Sequence, residues 1–185
     1  MMDVALIADR NQSQLVLIDM QTKLTSVMPS EVSAVVKNIA TLLQSVTLLE
    51  IPFLHTEQYP KGLGPTVPEL AQHLNGKKPV EKTAFSCCGE PTFSRQLSRD
   101  HSQVILAGME AHICILQTAF DLQAQGKTVF VVEDAVISRN PENKLNALNR
   151  LRQAGVIITN TESLVFEWLG VAKGDAFKTI SQLIR

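Results

Sequence analysis

The 185-residue chain has one tryptophan, one tyrosine and three cysteines, and almost no net charge. Seventeen basic residues against eighteen acidic ones leave a formal charge of −1. Such a balance gives no electrostatic reason to seek nucleic acid or an anionic membrane, so neither is expected as a partner. No apolar run approaches the ~20 residues a membrane-spanning helix needs. The first ten residues have an early acid, Asp3, and only a five-residue apolar run, unlike the basic start and long apolar core of a secretory leader. Three cysteines are an odd number, and two of them, Cys87 and Cys88, are adjacent, a spacing that rarely bridges. A disulfide framework is therefore not expected, and a reducing, cytoplasmic setting is. The turn after the first apolar run, Asp19-Met20-Gln21-Thr22-Lys23-Leu24-Thr25, has no glycine, which removes a dinucleotide-binding loop.

What the chain does have is a rhythm of short apolar runs and longer helical patterns. Leu15-Val16-Leu17-Ile18, Pro52-Phe53-Leu54-His55, Val104-Ile105-Leu106-Ala107, Thr128-Val129-Phe130-Val131-Val132 and Val156-Ile157-Ile158-Thr159 have little polar alternation. They are strands covered on both faces. Val80-Glu81-Lys82-Thr83 is a weaker sixth. Between them, residues 31–50 place Val32, Val35, Val36, Ile39, Leu42, Leu43, Val46 and Leu49 at helical spacing, with Ser30 as the expected N-cap. Residues 113–125 and 141–154 form further helices, the latter capped by Asn140 before Pro141. Residues 175–184 form a fourth. This alternation predicts a single domain, residues 1–185, built on a parallel α/β sheet. At that size roughly two thirds of the unfolded chain's surface can be buried, so no disulfide or structural metal is required. The Pro- and Gly-rich residues 56–79 read as a long functional loop.

Ligands bind α/β sheets beyond the carboxyl ends of the strands. Three reactive residues fall there: Asp19 after the first strand, Lys82 at the end of the weak strand, and Cys114 at the opening of a helix. Taken singly, each has an ordinary structural role, as a turn acid, a solvated lysine and a small apolar residue. Taken together they can supply a base, an electrostatic stabiliser and a nucleophile. A helix start and a nearby cation both favour a thiolate, and the same N–H groups can face an oxyanion. His55 on its own suits a backbone hydrogen bond better than metal ligation. Cys87-Cys88 suits packing or pocket lining better than redox chemistry. Phe85, Tyr59 and Trp168 read as core or interface residues, with Phe85 near enough to Lys82 to reach the pocket.

The segments Leu15-Val16-Leu17-Ile18-Asp19-Met20-Gln21, Glu81-Lys82-Thr83-Ala84-Phe85-Ser86 and Ala107-Gly108-Met109-Glu110-Ala111-His112-Ile113-Cys114 resemble the isochorismatase-like cysteine hydrolases. Thr56-Glu57-Gln58-Tyr59-Pro60-Lys61-Gly62-Leu63-Gly64 resembles the subgroup called isochorismatase domain-containing proteins. The resemblance implies a three-layer Rossmann-like fold, with a six-stranded, mostly parallel sheet and helices on both faces. It implies an Asp19–Lys82–Cys114 triad and a cis peptide at Met109–Glu110, with the backbone N–H groups of Glu110 and Cys114 as the oxyanion hole. Gln21, Tyr59, Phe85 and His112 are the residues this reading places around the substrate pocket. A homo-oligomer, dimer or larger, is implied as well. The expected activity is cysteine-dependent hydrolysis of a small amide-like C–N substrate through a thioester, without a cofactor. The family's nicotinamidases carry an Asp-x-His and a further His for a metal. Leu54-His55-Thr56-Glu57-Gln58 has no such pattern, so no metal is expected. Isochorismatase's own vinyl-ether cleavage does not use the cysteine, and the presence of Cys114 argues against that reaction. The rival from another class is an oligomeric scaffold whose site has lost useful turnover.

Overall fold

A computed structural model describes residues 6–185; residues 1–5, part of the segment read above for a leader, lie outside the described residues. Six strands form one sheet: β1 (Ser13–Ile18), β2 (Phe53–Gln58), β3 (Val80–Lys82), β4 (Gln103–Met109), β5 (Thr128–Ile137) and β6 (Ile157–Thr159). Their order is β3-β2-β1-β4-β5-β6, and every ladder is parallel. The sheet is thus wholly, not mostly, parallel; an isolated antiparallel bridge joins Gln21 to Thr66 outside the strands. The helices are α1 (Thr22–Thr25), α2 (Val32–Leu48), α3 (Pro60–Leu63), α4 (Pro68–Ala71), α5 (Pro91–Gln96), α6 (Leu116–Ala124), α7 (Pro141–Gln153), α8 (Thr161–Leu169) and α9 (Gly174–Leu183). A 3₁₀ turn (Cys87–Gly89) and a π turn (Ala111–Ile115) complete the chain.

Side chains alternate between the two faces of a strand. Leu15 and Leu17 of β1 join one core with Ile39, Leu42 and Leu43 of α2 and Leu164 and Trp168 of α8. Val16 and Ile18 join the other with Phe93, Leu122 of α6 and Leu151 of α7. Both faces being covered, all six residues of β1 are buried, which is why polar alternation is missing from its sequence. Each fully buried Leu or Ile stabilises by roughly 1.5–3 kcal/mol before cavity effects. Trp168 is a core residue whose indole N–H donates to Ser13 Oγ at 2.9 Å. No described helix is long and apolar enough to cross a membrane.

Asn140 caps α7 as expected, its side chain accepting from the Glu142 N–H. Ser30 does not cap α2: Glu31 occupies that position without a side-chain cap, and the Ser30 hydroxyl donates to the Glu31 carboxylate instead. The 56–79 stretch is less irregular than its prolines suggest. β2 continues to Gln58, and Pro60 and Pro68 each start a short helix, where a missing N–H costs nothing. α5 and α8 were not anticipated as helices. Tyr59 and Phe85, at 56% exposure each, belong to no core.

Candidate active site

The chain runs outward from β1 through β2 to β3, then returns to the centre and runs the other way from β4. The strand order therefore reverses between β1 and β4, and the crevice at their carboxyl ends is where a ligand can enter. Gly108 makes this junction possible. It has a φ of +121°, and a Cβ there would collide with the Ile18 carbonyl oxygen. Only glycine lets β4 lie against β1 at that point.

Asp19 follows β1 directly, with its backbone in the left-handed region (φ 54°) that non-glycine residues rarely occupy. Its N–H donates to Thr56 O and its carbonyl accepts from Gln21 N–H at 2.8 Å, and both contacts hold the turn. The Thr56 hydroxyl donates to Asp19 Oδ1 at 2.7 Å. Oδ2 lies 2.8 Å from Lys82 Nζ as a buried ion pair and makes no well-oriented hydrogen bond. That oxygen therefore keeps accepting capacity.

Lys82 ends β3, two strands away, and its long side chain crosses the end of β2. Its ammonium reaches Gln58 Oε1 at 2.6 Å, the carbonyls of Ala84 and Phe85 at 3.2 and 3.1 Å, and Cys114 Sγ at 3.6 Å. Burial disfavours its charge, but Asp19, with Cys114 and Cys87, outweighs that and raises its pKa above the ordinary lysine value.

Cys114 does not simply open a helix. It sits inside the π turn that joins β4 to α6, entered through a cis peptide between Met109 and Glu110. Among the described residues, neither the Glu110 nor the Cys114 N–H donates to a group outside this turn. The expectation that the turn and Lys82 would ease ionisation is corrected here. Burial, then the neighbouring Asp19 charge, push the thiol up to about 12, with Lys82 opposing but not prevailing.

Above these residues lies a cavity of about 340 Å³. Asp19, Cys114 and Gln58 are polar members of its lining, and Leu24, Val27, Leu63, Phe85, Met109 and Ile113 its apolar ones. Glu110 and Arg139 complete it. The buried Glu110 carboxylate accepts from Arg139 N–H at 2.9 Å and from Nε at 3.0 and 3.2 Å. A groove of similar volume between α2 and α9 is lined by Gln44, Gln72, His73 and Thr179, with no cysteine, carboxylate or lysine.

Of the residues assigned to the pocket from sequence, Phe85 lines the cavity and three do not. Gln21 is wholly buried; its amide donates to Gln58 O and Gly64 O and accepts from Gln58 N–H, tying the α3 loop to β2. Tyr59 lies outside the cavity, in a neighbouring groove lined by Lys61, Glu81, Glu90 and Lys82. His112 turns away, its Nδ1 2.9 Å from Ser138 Oγ and its Nε2 3.4 Å from Asn143 Nδ2. Cys87 is sealed from solvent, its backbone N–H bound to Thr118 Oγ1. Burial pushes its thiol up to about 12 as well. His55 is buried, its Nδ1 without a hydrogen-bond partner among the described residues, and its pKa is lowered, chiefly by burial. Among the described residues no cluster of three or more His, Cys, Asp or Glu could hold a metal. Arg139, Gln58 and Thr56 were missed. Thr56 and Gln58 share an alternating register at the end of β2 that could have flagged them; Arg139 carries no local signal.

The doubly wound, all-parallel sheet with a thiol, carboxylate and ammonium at its switch point defines a Rossmann-like α/β protein. The isochorismatase-domain family model matches residues 13–163, and the chain belongs to that family of hydrolases. It is 47% identical over 173 residues to isochorismatase domain-containing protein 2 of Danio rerio, covering 93% of this chain and 86% of the relative. A structure described as the MAR1 ribonuclease of Caenorhabditis elegans superposes with a TM-score of 0.90 at 37% identity, covering 96% of this chain and 92% of that one. The YcaC gene product of Escherichia coli, described as an octameric hydrolase of unknown specificity, shares the fold. Its TM-score is 0.88 at 22% identity, over 96% and 90% of the two chains.

Proposed function

We propose that this protein is a cysteine-dependent hydrolase of a small, amide-like C–N substrate, working through a thioester. The carrying observation is that Lys82 Nζ stands 2.8 Å from Asp19 Oδ2 and 3.6 Å from Cys114 Sγ, with the acid and the thiol both lining one cavity. As the S–C bond forms, the Cys114 proton passes to Asp19, and the carbonyl oxygen gains charge facing the N–H groups of Glu110 and Cys114. Lys82 holds the Asp19 carboxylate in place and offsets the charge developing beside it. Collapse of the tetrahedral intermediate breaks the C–N bond, and Asp19 gives its proton to the departing amine. Water then adds to the thioester, passing a proton to Asp19, and the C–S bond breaks with return of that proton to sulfur. The products are a carboxylic acid and an amine. A thiol pushed up to about 12 suits this scheme, because ionisation is coupled to attack and not completed beforehand.

A small-molecule substrate is preferred over RNA despite the description of the C. elegans neighbour. A chain of net charge −1 offers little for a phosphate backbone, whose binding draws on several basic side chains. All three cysteines are free, in keeping with a reducing cytoplasmic setting, and a homo-oligomer of dimer size or larger is part of the same reading. The test is a panel of small amides, ureas and carbamates, with an RNA arm, assayed for release of ammonia, amine or nucleotide. Amide turnover that disappears in C114A supports the hydrolase. If no C–N substrate is cleaved by the parent protein, the scaffold reading replaces it.

A further inference from the structure

The cavity has a second polar feature that the proposed chemistry does not use. Arg139 is 58% exposed at its side chain, yet it is pinned on one edge. Its backbone N–H and Nε both meet the Glu110 carboxylate, itself only 7% exposed. Among the described residues neither terminal nitrogen of the guanidinium donates to a protein acceptor. A guanidinium has five donors in a rigid plane, so fixing one edge pre-aims the rest. Those remaining donors belong to a side chain that lines a cavity otherwise rich in Leu24, Val27, Leu63 and Ile113.

We propose that Arg139 is the specificity-determining residue, and that it selects substrates carrying an uncharged acceptor oxygen, such as an amide or ketone carbonyl, in addition to the scissile carbonyl. The charge balance favours the uncharged form. Asp19 offsets Lys82 and Glu110 offsets Arg139, so the site is neutral before substrate arrives. A carboxylate on the free edge would share one guanidinium with Glu110 and add an uncompensated negative charge beside it. An uncharged carbonyl oxygen accepts the same N–H groups without that repulsion. The apolar lining takes the carbon chain between the two polar ends. The assignment rests on the hydrolase reading for which carbonyl reacts, but the binding preference is measurable without turnover.

Calorimetric titration of C114A with pentanamide, glutaramide and glutaramate compares one carbon length with no second acceptor, a neutral one and a carboxylate. Glutaramide is expected to bind at least about ten-fold more tightly than pentanamide, as a hydrogen bond to a charged donor warrants, with glutaramate between them. Arg139→Lys in the same background retains the charge opposite Glu110 but loses the planar fork, and should reduce the glutaramide preference to within about two-fold. Its melting point reports whether the fold is retained, and Arg139→Gln with Glu110→Gln gives a second, uncharged version of the same test. Equal binding of pentanamide and glutaramide, or an unchanged preference in both variants, overturns the role of Arg139. Tighter binding of glutaramate overturns the choice of an uncharged acceptor. Loss of all amide turnover in the unmodified protein with the binding preference intact would instead overturn the hydrolase reading alone.

Discussion

Two buried thiols, Cys87 and Cys114, share much of their surroundings. Both feel Lys82 and Asp19, and burial pushes both up to about 12. One sits in a 3₁₀ turn and is completely sealed; the other sits in a π turn and lines the cavity. The electrostatic environment therefore does not distinguish the proposed nucleophile from a packing residue here. Access and a partner with free accepting capacity do. Asp19 belongs to the same cavity lining as Cys114, whereas the Cys87 backbone is tied to Thr118 in the α6 layer.

The widest separation of the two should come from their alanine variants. C114A is expected to lose at least about 10³-fold in amide turnover while keeping its melting point near that of the parent. C87A should keep turnover within a few-fold and lose about 1 kcal/mol of stability. Steady-state rates and denaturant melts read both, and an inactive, well-folded C87A would erase the contrast.

Asp19→Asn sharpens it further. Removing the negative charge takes away a cause of the raised Cys114 pKa and leaves Lys82, which lowers it. Iodoacetamide should thus react faster at Cys114 of the variant near neutral pH. Amide turnover should fall by about 10²–10⁴-fold, since no acid remains to protonate the leaving amine. Turnover unchanged in the variant would remove Asp19 as the proton carrier.

Lys82→Met strands a buried Asp19 without its cation. A loss of about 3–5 kcal/mol in unfolding free energy is expected, against a much smaller loss for the solvent-facing pair of Arg152 with Glu133, whose partners are 46% and 42% exposed. Chemical denaturation of K82M and R152M compares them directly.

A pH slope tests the two thiols without substitution of either. A thiol that stays protonated in the folded chain but ionises near 9.0 when unfolded stabilises fully below that value. It loses the contribution as pH climbs toward about 12. Stability should fall over that window by up to about 1.4 kcal/mol per pH unit for each such thiol, and C87A should show the shallower fall. Equal slopes in parent and C87A would place the Cys87 ionisation elsewhere.

Much of the frame was legible because it depends on local rules. Apolar runs such as Leu15-Val16-Leu17-Ile18 marked the strands, and the spacing from Val35 to Val46 marked α2. Pro141 after Asn140 marked the start of α7. Ser30 misled because two neighbouring polar residues compete for one capping site, and propensity does not say which one the chain direction favours. Residues 60–71 misled because proline stops a helix from within but begins one from its first turn.

Hydrophobic periodicity and motif order are one-dimensional, and they were enough to place the strand ends, with Asp19, Lys82 and Cys114 beyond them. Which residues share a cavity emerges only when the chain is folded. Folding turned Gln21 and His112 toward the protein, left Tyr59 on another groove, and brought Arg139 from the far end of β5 to the Glu110 carboxylate. It also reversed the expected ease of ionising Cys114, since a thiol's pKa depends on burial and on charges whose neighbours lie 32 and 95 residues away in the chain. Solvent exclusion and through-space electrostatics have no one-dimensional signature.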